Sequence, residues 1–168
     1  VAVAVMVVAV VMAAATAAVA LFGRGDDARA IVDRGTVTAI VDGDTIDITI
    51  GGRSERVRLL AIDTPEIAHR DEPGECFGDV AADHLATLLP VGAIVRLERD
   101  IVGRDDYGRL LAYVYRADDD LFVNVAMVAA GLATPLVIAP NVAHRDDVVD
   151  AARRAEAADV GLWAACSG

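Results

Sequence analysis

The sequence predicts an α+β protein, mainly a β barrel of five strands with three helices. Two patterns carry the strands. Short segments alternate apolar and polar residues at period two, as in Thr45–Ile50, where Ile46, Ile48 and Ile50 share one face. Turn signals separate such segments at hairpin spacing: Asp42-Gly43-Asp44, then Gly51-Gly52. The third observation is order. A helical stretch falls between the third and fourth strands, and two more follow the fifth, which matches a small Greek-key barrel of the OB type.

In chain order, Val1 to Phe22 carries no charge and is almost wholly apolar. It reads as a targeting segment, either a cleaved signal peptide with Ala18-Val19-Ala20 as a small-residue cleavage site, or a retained membrane anchor. Residues 23–34, rich in Gly, Asp and Arg, read as a linker, and the folded domain spans 35–165, with 166–168 as a tail. The strands fall at Thr36–Val41, Thr45–Ile50 and Arg53–Ile62. A polar loop carrying Cys76 leads to a helix over Asp79–Leu89, with Val80, Leu85, Leu88 and Leu89 on its apolar face and Pro90 after its end. Val91–Asp100 and Arg109–Arg116 are the fourth and fifth strands, separated by the charged turn Gly103–Gly108. Asn124 is placed to cap a helix to Ala130, with Gly131 as its stop. Thr134–Val142 reads as an apolar loop, and His144–Val160 as the last helix, with Val148, Ala151, Ala152 and Ala155 inward. Tyr113 and Trp163 are read as core aromatics.

Aromatic residues make up only 4% of the 168, so the core must come from Val, Ile, Leu and Ala. All 15 basic residues are arginine, and the formal net charge is −11. A broad nucleic-acid footprint should be basic, so the overall balance argues against one, while a local arginine site stays open. Two cysteines, Cys76 and Cys166, are too few for a zinc site. They are two free thiols or, in an exported protein, one bridge; the apolar leader favours the bridge. His69, His84 and His144 lack metal-ligand spacing and read as surface or cap residues.

The chemistry concentrates in Arg58-Leu59-Leu60-Ala61-Ile62-Asp63-Thr64-Pro65-Glu66. Pro65 stops the strand and restrains Thr64. Arg58 offers a planar donor fork that suits a phosphate, Asp63 is a hard oxygen ligand, and Glu66 follows three residues on. A strand end with a solvated acidic turn would look the same from this stretch alone. Asp42-Gly43 is also a common turn, and an EF-hand does not fit, because its closing position would be Arg53.

Taken together, Asp42-Gly43-Asp44-Thr45, Arg58 to Glu66, and Asp106-Tyr107-Gly108-Arg109-Leu110-Leu111-Ala112-Tyr113 resemble the three signatures of the staphylococcal-type thermonucleases, in order and separation. The resemblance implies Asp44, Asp63 and the Thr64 carbonyl as Ca²⁺ ligands, Glu66 as general base, Arg58 and Arg109 on the phosphate, and Tyr107 beside it. It implies hydrolysis of DNA or RNA at the 5′ P–O bond, leaving 3′-phosphate ends. The expectation is therefore a monomeric Ca²⁺-dependent nuclease, secreted or anchored outside the cytoplasm, touching a membrane only through an uncleaved leader. The alternative is a non-catalytic OB module that binds nucleic acid or protein. Two departures bear on it. Asp106 stands where the family often has lysine, and Thr134-Pro135-Leu136-Val137-Ile138 lacks the aromatic the family lays against the nucleotide. Both point to retained hydrolysis with altered substrate binding.

Overall fold

A computed structural model describes residues 31–68 and 73–166. The leader Val1–Phe22, most of the stretch read as linker, and His69 lie outside the described residues. The strands are β1 (Ile31–Asp42), β2 (Thr45–Ile50), β3 (Arg53–Leu59), β4 (Ala61–Asp63), β5 (Ile94–Glu98), β6 (Leu110–Arg116) and β7 (Thr134–Leu136). The helices are α1 (Gly78–Leu88), α2 (Val123–Ala129), α3 (Arg145–Ala157) and the single-turn α4 (Leu162–Ala165). Five strands close a barrel in the order β1-β2-β3-β6-β5, with β5 returning to β1, while β4 and β7 form a separate antiparallel pair. This is the OB architecture: β3 and β6 run parallel, and the other barrel neighbours run antiparallel.

The barrel core is aliphatic. Val37, Ile46, Ile48, Val57, Leu59, Val95 and Leu97 are buried, and Tyr113 is the aromatic among the fully buried side chains. The face of α3 is the one its spacing predicts: Val148, Ala151, Ala152 and Ala155 are buried. Cys76 and Cys166 are joined by a disulfide across 90 residues, which ties the loop before α1 to the end of α4. A disulfide typically contributes about 2–4 kcal/mol to stability.

Several elements differ from the pattern reading. β1 begins at Ile31, inside the presumed linker, because Asp33 and Arg34 pair with Leu97 and Arg96 to close the barrel. Asp33, Arg34 and Gly35 hid a strand that the ladder to β5 forms, and the Asp33 carboxylate also pairs with Arg99 just beyond β5. The fourth strand starts only at Ile94: Gly92 takes φ 94°, and the Ala93 N–H bonds the Pro90 carbonyl, so Val91–Ala93 forms a turn. On α1, Ala81 rather than Val80 faces inward, leaving Val80 exposed. Trp163 is half-buried and stands outside the core cluster.

The predicted third strand is broken at Leu60. Ala61 adopts φ 64°, a left-handed conformation that costs an alanine roughly 1–2 kcal/mol. The kink carries the chain out of the barrel and onto β7. It also turns three carbonyls away from the ladder, and side chains satisfy each one. Arg58 Nη1 donates to the carbonyls of Leu59 and Ile62, both at 2.8 Å. Asn124 Nδ2 donates to the Leu60 carbonyl at 2.8 Å. Asn124 is therefore a buried clamp and not the cap of α2; its Oδ1 also accepts the Val114 N–H at 2.9 Å. The kink holds because those groups would otherwise be buried unpaired, at about 1–3 kcal/mol each.

Candidate active site

The kink sets the geometry of the acidic corner. Arg58 points its other terminal nitrogen, Nη2, at two carboxylates: Asp44 Oδ2 at 2.9 Å and Asp63 Oδ1 at 2.8 Å. Asp44 is only 5% exposed. It accepts the Thr64 N–H on Oδ2 at 3.2 Å and the Thr45 hydroxyl on Oδ1 at 3.0 Å. The turn that carries Asp44 reaches Thr64 because position 43 is glycine; a Cβ there would sit 2.7 Å from Thr64 Oγ1 and 2.8 Å from the Ala81 side chain. Asp42 shapes the same turn by accepting the Asp44 N–H at 3.0 Å.

Electrostatics at Asp44 are unbalanced. Burial pushes its carboxyl up to about 7, Arg58 opposes the rise, and neighbouring Asp42 adds to it. A carboxylate so placed favours additional positive charge beside it. Among the described residues no group of three or more His, Cys, Asp or Glu side chains gathers as a metal cage. The corner has two carboxylates that already share one cationic nitrogen, plus the adjacent Thr64 backbone. That donor set fits a hard cation that takes its remaining oxygens from water and a phosphate.

Arg109 arrives from the other side. Asp105 holds it twice, accepting the Arg109 N–H on Oδ1 at 2.8 Å and Nε on Oδ2 at 2.7 Å. Burial alone would raise the Asp105 carboxyl, but the hydrogen bonds from Arg109 hold it below its usual range. Arg104 braces the same turn, donating Nη1 to the Gly108 carbonyl at 2.6 Å and Nη2 to both oxygens of Glu55 at 3.0 Å. Arg58 and Arg109 line one cavity of about 440 Å³, whose walls include Asp106, Leu136 and Ile138. Tyr107 stands 87% exposed beyond it, with the Arg109 guanidinium 5.4 Å from its ring centre.

Glu66 lies on the loop after β4. Its backbone is locked: the Glu66 N–H bonds Glu75 Oε2 at 3.1 Å, and the Glu66 carbonyl accepts the Glu75 N–H at 2.9 Å. Gly78 packs so close that a Cβ would lie 2.2 Å from the Glu66 carbonyl oxygen. The Glu66 carboxylate itself is exposed and makes no hydrogen bond or ion pair among the described residues. The structure thus gathers Arg58, Asp44, Asp63 and Thr64 tightly, sets Arg109 across a cavity from Arg58, and leaves Glu66 and Tyr107 at the surface. The pattern reading missed Asn124, Asp105, Arg104 and Glu55 as holders of this frame. Asp105 sits four residues before Arg109, and such a spacing on a charged turn reads as an ordinary surface pair.

Residues 56–165 match the family described as staphylococcal nuclease homologue. The chain belongs to the staphylococcal nuclease family. It is 36% identical over 127 residues to a thermonuclease of Staphylococcus intermedius, covering 76% of this chain and 74% of that one. A thermonuclease of Staphylococcus hyicus is 31% identical over 127 residues, covering 76% and 73%. The SPbeta prophage-derived endonuclease YokF of Bacillus subtilis is 35% identical over 130 residues, covering 76% of this chain and 43% of its own. As a member of this family the protein is a phosphodiester-hydrolysing nuclease, and its substrate is nucleic acid.

Proposed function

We propose that the protein is a calcium-dependent nuclease that breaks the 5′ P–O bond and leaves 3′-phosphate ends on DNA or RNA. One observation carries the reading: the two arginines that line a single cavity stand beside two carboxylates converging on one cationic nitrogen. Arg109 and the Nη2 side of Arg58, released from Asp44 and Asp63 when those carboxylates hold a cation, grip the non-bridging phosphate oxygens, and the grip strengthens as negative charge builds at phosphorus. Glu66 accepts the proton of the attacking water; its anchored backbone and a carboxylate unengaged among the described residues suit a base. A bond forms from the water oxygen to phosphorus as the bond to the 5′ oxygen breaks, and the departing oxygen takes up a proton from solvent. Asp44, Asp63 and the Thr64 carbonyl would hold Ca²⁺, which when bound supplies charge neutralisation at the phosphate. Tyr107 flanks the phosphate from the outer side.

Asp106 and the aliphatic Leu136 and Ile138 share the cavity with the arginines. They support an altered substrate grip: a carboxylate near the phosphate, and no aromatic wall on which a base can stack. The protein acts as a monomer outside the cytoplasm. The Cys76–Cys166 bridge supports export, since such bonds persist in oxidising compartments. No helix among the described residues is long and apolar enough to cross a membrane, so contact with one would come through the leader.

End-group analysis of cleaved single-stranded DNA tests the chemistry. Fragments with 3′-phosphates cannot prime a polymerase until a phosphatase removes the phosphate. Fragments that prime directly would show 3′-hydroxyl ends and overturn the assignment of the broken bond.

A further inference from the structure

The strand that delivers Arg58 carries a second arginine on the same face. On β3, Val57 and Leu59 point into the barrel and are buried, so Arg56 and Arg58 both point outward. Two residues of extended strand separate them by about 7 Å, roughly one nucleotide step along an extended single strand. Arg56 lines a cavity of about 540 Å³ together with Tyr107, Gly108 and Arg109. Arg109 also lines the Arg58 cavity, so the two openings meet at one guanidinium. Arginine thus stands at successive positions along one surface of a protein whose net charge is −11.

We propose that Arg56 is a second phosphate-binding position, which holds the phosphodiester next to the scissile one in a single-stranded nucleic acid. The proposal rests on the nuclease reading of the Arg58–Arg109 cavity. Tyr107, exposed and lining the Arg56 cavity, gives a nucleotide held there a ring to lie against. Arg56 is oriented by its cross-strand neighbour: Nε and Nη2 donate to the two oxygens of Asp47 at 2.8 and 2.9 Å. That pair is exposed and of the kind that contributes little, so a phosphate competes with it readily. Asp47 therefore engages the guanidinium when no strand is bound and weakens the site's attraction for one.

The test uses Arg56→Gln and Asp47→Asn in the full chain. Hydrolysis is followed on a dinucleotide with a single phosphodiester and on a longer single-stranded oligonucleotide. Binding of the oligonucleotide is followed by fluorescence anisotropy against salt, with Glu66→Gln as background. Arg56→Gln is expected to raise KM on the oligonucleotide about five-fold, the effect of losing one charge-assisted contact. The rise on the dinucleotide, which has no second phosphate, is several-fold smaller. The log–log salt slope of binding becomes shallower by about 0.7. Asp47→Asn lowers KM on the oligonucleotide and tightens binding. Equal effects on both substrates, or an unchanged salt slope, would overturn the role of Arg56. A wild type that binds the oligonucleotide but cleaves neither substrate would instead refute the catalytic reading, and the salt slope would still decide Arg56.

Discussion

Arg58 and Arg109 face the same cavity, yet they are held in opposite ways. Arg58 is 15% exposed at its side chain and is built into the fold: it satisfies two kink carbonyls and bridges Asp44 and Asp63. Arg109 stands on a surface turn and, among the described carboxylates, pairs with Asp105. One arginine is structural as well as chemical, and the other is available to a ligand at little cost to the fold. The difference separates two functions that a single motif pattern merges. In the proposed mechanism the buried side would fix where a cation and a phosphate oxygen sit, and the exposed side would adapt to the substrate.

The comparison is broken most sharply by removing each arginine. Arg58→Ala should abolish hydrolysis and also destabilise the protein by about 2–4 kcal/mol, because it strands two carbonyls and a buried carboxyl. Arg109→Ala should lower kcat by about 10²–10³-fold while shifting stability by no more than about 0.5 kcal/mol. Paired denaturant melts and turnover assays read both; equal losses of stability would erase the distinction.

Asp44 sharpens the comparison through pH. Its carboxyl sits at about 7 in the folded protein against an ordinary 3.8, so the folded state keeps a proton that the unfolded chain releases. Its contribution to stability is full below the ordinary value and is lost as pH rises to about 7. Metal-free protein should therefore lose stability across that window. Asp44→Asn should flatten the dependence, and saturating Ca²⁺, which selects the ionised carboxylate, should reverse it. Calorimetric melting temperatures against pH, with and without chelator, check the sign. The smallest effect belongs to the exposed side: Asp106→Lys should lower KM a few-fold, most visibly at low ionic strength, with kcat little changed. A large change in kcat from this variant would place Asp106 in the chemistry.

Much of this division was legible in the residues, but not all. β2 and the buried face of α3 follow from period and turn signals, because local pattern and burial agree there. Asp44 and Asp63 are paired in the sequence through the family resemblance, and the tight hairpins between β1, β2 and β3 are what bring them together. The kink at Ala61 was not: alanine is a poor residue for that conformation, and tertiary contacts from Asn124 and Arg58 impose it. For the same reason the double duty of Arg58 was hidden. A fork of donors reads as a phosphate grip, and nothing local shows that Nη1 is committed to backbone carbonyls. The start of β1 is not legible because Asp33, Arg34 and Gly35 interrupt the apolar pattern and their ladder partner is a strand distant in sequence.

The most direct measurement is hydrolysis of single-stranded DNA with Ca²⁺ and then with excess chelator, in wild type and Glu66→Gln. The expected result is Ca²⁺-dependent cleavage that chelator stops and that Glu66→Gln loses while melting like the wild type. Wild-type rates in Glu66→Gln, or cleavage indifferent to chelator, would contradict the assignment of base and cation together.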